Sequence, residues 1–201
     1  EDVSLGMGSD KRIGSRFLRA GPAYGGSCFP KDTRGLVSIG KKYKVDLSIV
    51  KTVIKSNYQR INLLTKRINK ILGNNIRNKR IAFLGVTFKP NTDDMRDSTS
   101  LKMIPYICKS GGYVSYYDPS GEKKEFTKQK KCNYFSNIKD ACKNADLIVL
   151  HTEWDEFKSL DFKRLVSNNR FRIFDLRNLY NASDMLRKKI KYFSIGRPST
   201  T

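Results

Sequence analysis

Residues 80–117 read RIAFLGVTFKPNTDDMRDSTSLKMIPYICKSGGYVSYY. Arg80–Gly85 (RIAFLG) is a short, nearly unbroken apolar run, Ser98–Ser110 reads as a helix, and Tyr113–Tyr117 (YVSYY) is again of β type. The same alternation continues down the chain. A helix is predicted around Asn137–Lys143, strands at Asp146–His151 (DLIVLH), Arg172–Leu176 (RIFDL) and Lys191–Ile195 (KYFSI), and a helix near Ser183–Lys189 between the last two. Short apolar strands separated by helices require a parallel sheet covered on both faces, so residues 76–201 are expected to form a doubly wound α/β domain. Its first turn, GVTFKP, lacks the GxGxxG dinucleotide fingerprint.

Upstream the pattern is helical, and residues 1–75 form a separate segment. Leu47, Val50, Val53, Ile54, Ile61, Leu64, Ile68, Ile71 and Leu72 recur on one helix face from Ser48 to Leu72, and Gly73-Asn74-Asn75 supplies the stop. At about 1.5 Å per residue this helix is roughly 37 Å long. Its stripe exceeds what the rest of the helical segment can cover, so a homodimer with the stripe at the two-fold axis is expected. A second helix is predicted from Pro30, suited to the first helical position, to Tyr43. The Gly- and Arg-rich stretch from Asp10 to Ser27 reads as an ordered loop.

The chain carries 40 Lys+Arg against 19 Asp+Glu, a net charge of +21, with a mean hydropathy of −0.55. Residues 41–80 hold twelve Lys or Arg and only Asp46 of opposite sign, but the excess is scattered along the chain and accompanies no zinc finger or aromatic–Gly RNA motif. Nucleic acid is therefore not the expected partner, whereas a substrate with several negative charges is. No stretch approaches the length of a membrane span, and the first residues, EDVSLGMGSD, do not resemble a signal peptide. A cytoplasmic location is expected. Cys28, Cys108, Cys132 and Cys142 match neither a metal knuckle nor a secreted framework and read as free thiols, and His151 reads as structural. No metal site is expected. Asp118, closing the second strand, is not assigned to a ribose, and Trp154 is expected to pack.

The stretch richest in chemistry is Ala20–Leu36, AGPAYGGSCFPKDTRGL. Gly25-Gly26 lets the backbone approach a ligand, and Cys28 follows at a helix N-terminus, where the macrodipole favours the thiolate that acts as nucleophile. Asp32 lies one turn further along the same face.

These residues resemble the nucleotide-sugar dehydrogenase family. GGSCFPKD looks like its catalytic-cysteine block, LGVTFKPNTDDMRDS (Leu84–Ser98) like its second signature, and FDLRNLY (Phe174–Tyr180) and GSDKRIG (Gly8–Gly14) are further matches in the right order. The resemblance implies a central helical dimerisation segment followed by a Rossmann-like UDP-sugar-binding domain. It also implies oxidation of the C6 alcohol of UDP-glucose to a carboxylate at the expense of NAD. On that carry-over Cys28 forms a thiohemiacetal and then a thioester, and Asp32 serves the water that hydrolyses it. Lys89 and Arg177 contact the sugar nucleotide, Arg96 meets the NAD pyrophosphate, Phe17, Leu18, Tyr24 and Gly25 lie where the family wraps the nucleotide, and Arg12 reaches a partner subunit. The family's N-terminal NAD-binding domain is not among these residues, so the chain is expected to be the central and C-terminal part of such an enzyme and inactive without that domain. A GDP-mannose dehydrogenase part, or a non-catalytic remnant that binds UDP-sugar or an anionic polymer, are the alternatives. Ser27 argues against the UDP-N-acetyl-sugar enzymes, which usually carry His there.

Overall fold

Along β1 (Arg80–Leu84), Ile81 and Phe83 enter one core while Ala82 and Leu84 enter a second, and along β4 (Leu147–Leu150) Leu147 and Val149 part in the same way from Ile148 and Leu150. That period-two split is what a strand buried on both faces requires. The computed structural model describes residues 2–200. Its remaining strands are β2 (Tyr113–Tyr117), β3 (Cys132–Tyr134), β5 (Arg172–Asp175) and β6 (Lys191–Ser194). All six are parallel neighbours in the order β3-β2-β1-β4-β5-β6. The chain is thus an α/β protein with a doubly wound sheet.

The helices are α1 (Asp2–Gly8), α2 (Phe29–Lys42), α3 (Ser48–Ile71), α4 (Ser100–Lys109), α5 (Ile138–Cys142), α6 (Phe162–Leu165) and α7 (Ala182–Arg187). One core joins Ile61, Leu64, Ile68 and Ile71 of α3 and Met103, Ile104 and Ile107 of α4 to the sheet. The other gathers Cys142, Phe157, Phe162 and Met185 on the opposite face.

The long helix ends within a residue of its expected limits, but its stripe divides. From Ile61 onward the apolar face is buried by the chain's own sheet. Before Ile61 no residue of α3 is buried, and Ile49 is 79% exposed. The chain therefore covers half of a stripe that periodicity presents as continuous, and the core does not break at residue 75. α1, β3, α6 and the 3₁₀ turns at Arg16–Leu18 and Asp155–Ser159 have no counterpart in the sequence reading. β3 is a three-residue edge strand of middling burial after a lysine run, and edge strands need little apolar patterning. No helix among the described residues is long and apolar enough to cross a membrane.

Candidate active-site crevice

In this strand order the connections leaving β1 and β4 part to opposite sides of the sheet, and a crevice opens beyond their carboxyl ends. Its floor is tightly cross-linked. The buried Asp118, just beyond β2, accepts the Val86 and Thr87 N–H groups (2.7 and 3.3 Å), with Lys123 Nζ 3.9 Å away. Ser98 and Ser100 both donate to the Val86 carbonyl at 2.6 Å. His151 lies between Thr99 (2.7 Å) and Thr152 (3.0 Å), and Thr152 donates to the Thr87 carbonyl. Burial, with Arg177 adding to it, pushes the His151 imidazole down to about 3, so it is a neutral structural strut.

Asp175 organises the loop after β5. It accepts the N–H groups of Arg177, Leu179 and Tyr180 and the Tyr192 hydroxyl, although burial still pushes its carboxyl up. The guanidinium of Arg177, whose side chain is 11% exposed, donates to the carbonyls of His151 (2.9 Å) and Phe88 (3.0 Å) and so stitches together the loops after β1, β4 and β5. Glu153 stands 3.8 Å from both Arg177 and Arg19.

The cysteine segment lies across this floor. α3 holds its approach, because Asn57 exchanges two 3.0 Å hydrogen bonds with the Tyr24 backbone and Arg60 donates to the carbonyls of Gly21 and Pro22. Gly26 donates its N–H to the Arg96 carbonyl at 2.8 Å. A Cβ on Gly25 would stand 2.5 Å from the Asp97 carbonyl oxygen, and one on Gly26, at φ +86°, 2.6 Å from the Phe88 ring. The paired glycines are thus needed for contact between two protein loops. α2 is tied to the same loop by Arg34, which donates to Asp97 (3.0 Å) and to the Tyr58 hydroxyl (3.2 Å).

Cys28 is the exposed N-cap residue of α2. Asp32 donates its N–H to the Cys28 carbonyl at 2.8 Å, and its side chain, 68% exposed, stands 3.5 Å from Lys31. Arg96 is clamped by Asp94 at 2.8 Å, which holds its guanidinium further toward the charged form, with a smaller contribution from Cys28. Lys89 is exposed, 5.3 Å over the Phe88 ring. Burial pushes the Cys108 thiol up to about 11 and those of Cys132 and Cys142 to about 12.

Gly25 packs on Asp97 and Phe88, Arg177 joins the three loops, and Cys28 is exposed at the head of α2, whereas the Asp32, Lys89 and Arg96 side chains are exposed and, among the described residues, Asp32 pairs with Lys31 and Arg96 with Asp94. Leu18 is half-buried on the neighbouring 3₁₀ turn. Arg12 pairs only with Asp10, and Phe17 is 86% exposed; among the described residues no hydrogen bond or ion pair joins either to the crevice. Phe88, Arg34, Asp97, Asn57, Arg60, Glu153 and Asp175 complete the site without having been singled out. Gly25-Gly26 signalled a close approach but not its object, and Asp175 lay inside the quoted FDLRNLY.

Residues 82–182 match the UDP-binding domain of the UDP-glucose/GDP-mannose dehydrogenase family, and residues 1–59 match the central domain of the same family. The chain belongs to that family. It is 41% identical over 199 residues to a UDP-glucose 6-dehydrogenase of Rhizobium meliloti and 38% identical over 202 residues to one of Bacillus subtilis, each match covering 98% of this chain. The matches cover 46% and 45% of those proteins, so the chain spans about half the length of the curated relatives it matches. Among solved structures, a UDP-glucose dehydrogenase from Pyrobaculum islandicum is similar with a TM-score of 0.80 at 28% identity, over 96% of this chain and 42% of that one. A Methanosarcina mazei NDP-N-acetyl-D-galactosaminuronic acid dehydrogenase also scores 0.80, at 26% identity. Family membership implies a nicotinamide dinucleotide, and the crevice tests that implication. The Val86 and Thr87 N–H groups, which a phosphate-binding turn would aim at a ligand, are taken by Asp118, so the loop after β1 does not form a dinucleotide cradle.

Proposed function

We propose that this chain is the substrate-binding, cysteine-bearing part of a UDP-glucose 6-dehydrogenase. The single observation that carries the reading is the placement of Cys28, exposed at the head of α2 and held by Gly25 and Gly26 against the loops of the crevice. In the whole enzyme the C6 alcohol of UDP-glucose is converted to the carboxylate of UDP-glucuronate, NAD taking up the four electrons as two hydrides.

Cys28 Sγ bonds to the carbonyl carbon at the aldehyde stage, keeping that intermediate on the protein. Once this adduct has been oxidised to a thioester, water adds to the same carbon, the C–S bond breaks, and Sγ leaves as thiolate. Asp32, one turn from Cys28, orients that water and takes its proton. Tyr24, Gly25 and Lys89 bind the nucleotide sugar, and Arg177 holds the three loops that line its site. Phe17 and Leu18 close over the nucleotide. Arg96 offers the NAD phosphates a contact from the cysteine side, and Arg12 extends to a partner subunit. The apolar residues left bare on α2 and the first half of α3 form the dimer face.

The test is reconstitution. Residues 1–201 mixed with UDP-glucose and NAD should give no NADH, and addition of the NAD-binding half of a relative should give two NADH per UDP-glucose. In that pair Cys28→Ser should block the second oxidation while sparing some aldehyde-level chemistry. NADH from residues 1–201 alone would overturn the division of labour, and an inert pair would mark the chain as a non-catalytic remnant.

A further inference from the structure

The amino ends of β5 and β6 lie at the opposite end of the sheet from the cysteine crevice. There the turns entering both strands and α6 enclose a cleft of about 470 Å³. Lys163, Arg170, Arg172, Lys189 and Lys191 line it, over the buried Phe171 and Ile190. Among the described residues no carboxylate lines the cleft. Among the described residues none of these five side chains has a hydrogen-bond or ion-pair partner. The carboxylates of the adjoining segments are engaged elsewhere. Asp161 pairs with Arg164 and Asp184 with Arg187, while Asp146 accepts from the Arg80 N–H and the Asn168 amide.

Five cations that line one cleft, with no carboxylate among the described lining residues, repel one another, and an anion that bridges them removes that repulsion while gaining charge-assisted hydrogen bonds. The volume sets the charge density required of the ligand. A nucleotide sugar has two phosphates and fills much of such a cleft with neutral rings, and an acidic polysaccharide brings one charge per sugar. Contiguous phosphates carry roughly one to two charges each in a small volume. We propose that this cleft is a binding site for an oligophosphate of three or more contiguous phosphates, separate from the nucleotide-sugar crevice.

Sodium tripolyphosphate titrated into residues 1–201 by calorimetry at low salt should bind one per chain, undisplaced by UDP-glucose. The triple variant Lys163→Glu, Arg170→Glu, Lys191→Glu should weaken it at least about tenfold, because three charge-assisted contacts are reversed. Lys66→Glu, Lys124→Glu, Lys128→Glu, the same change in net charge on other exposed lysines, should leave affinity within about threefold, since screening limits distant charges. Amide chemical shifts give a readout that needs no variant: the perturbed amides should be those of residues 169–172 and 189–191. The site is refuted by no binding, by equal weakening in both triple variants, by shifts centred on the cysteine crevice, or by a short DNA duplex that tripolyphosphate cannot displace.

Discussion

At Gly26 a methyl group has nowhere to go. The backbone is at φ +86°, and a Cβ would stand 2.6 Å from the Phe88 ring. Gly26→Ala should lower stability by about 1–3 kcal/mol through backbone strain and the displaced ring. It should also cut turnover of the reconstituted enzyme at least about tenfold, since small misplacements of a nucleophile cost much of its rate. Thermal melting and NADH release read the two effects separately. His151 supplies the residue-level pH dependence. Its folded-state value, about 3, lies below the ordinary 6.5, so below about pH 6.5 the unfolded chain binds a proton that the native chain refuses. Stability attributable to it is therefore intact above pH 6.5 and falls steadily on acidification toward pH 3. Denaturant melts between pH 7 and 4 should show that slope, and His151→Gln, although less stable at pH 7, should show a flatter one.

α3 is an element with two environments. Its carboxyl half is packed under the sheet, while its amino half and α2 leave Leu36, Ile39, Ile49 and Val53 exposed. Such a face is the one a second copy would cover, and sedimentation at about tens of micromolar, a range suited to modest interfaces, should show a dimer. Ile49→Asp with Val53→Asp should shift it to monomer while leaving the far-ultraviolet circular dichroism of the folded chain unchanged. A stable monomer of the parent chain would remove the dimer from the proposal. The periodicity that locates α3 to within a residue is indifferent to which half of the stripe meets the chain's own sheet, because amphipathicity reports that a face is buried and not by what.

On the scale of the whole molecule, α3 joins the helical segment to the sheet through one continuous core. Ile68, fully buried, shares that core with Ile81, Phe83 and Val149. Ile68→Ala should cost about 2–5 kcal/mol and shift one cooperative transition seen alike by circular dichroism and aromatic fluorescence. Two separated transitions would instead mark residues 1–75 and 76–201 as independent folding units. Local rules of the chain determined five of the six strands of the doubly wound sheet and the helices α4, α5 and α7, the length of α3, and Cys28 at a helix head with Asp32 one turn on, because periodicity, turn residues and i to i+4 spacing act between neighbours in sequence. Only the tertiary structure decided that Gly26 lies against Phe88, that Arg177 donates to the His151 and Phe88 carbonyls, that Asp118 occupies the N–H groups of the first turn, and that five cations from α6 and two strand entries share one cleft. Those pairings join residues far apart in the chain, and their energies arise only once the sheet order has brought their loops together.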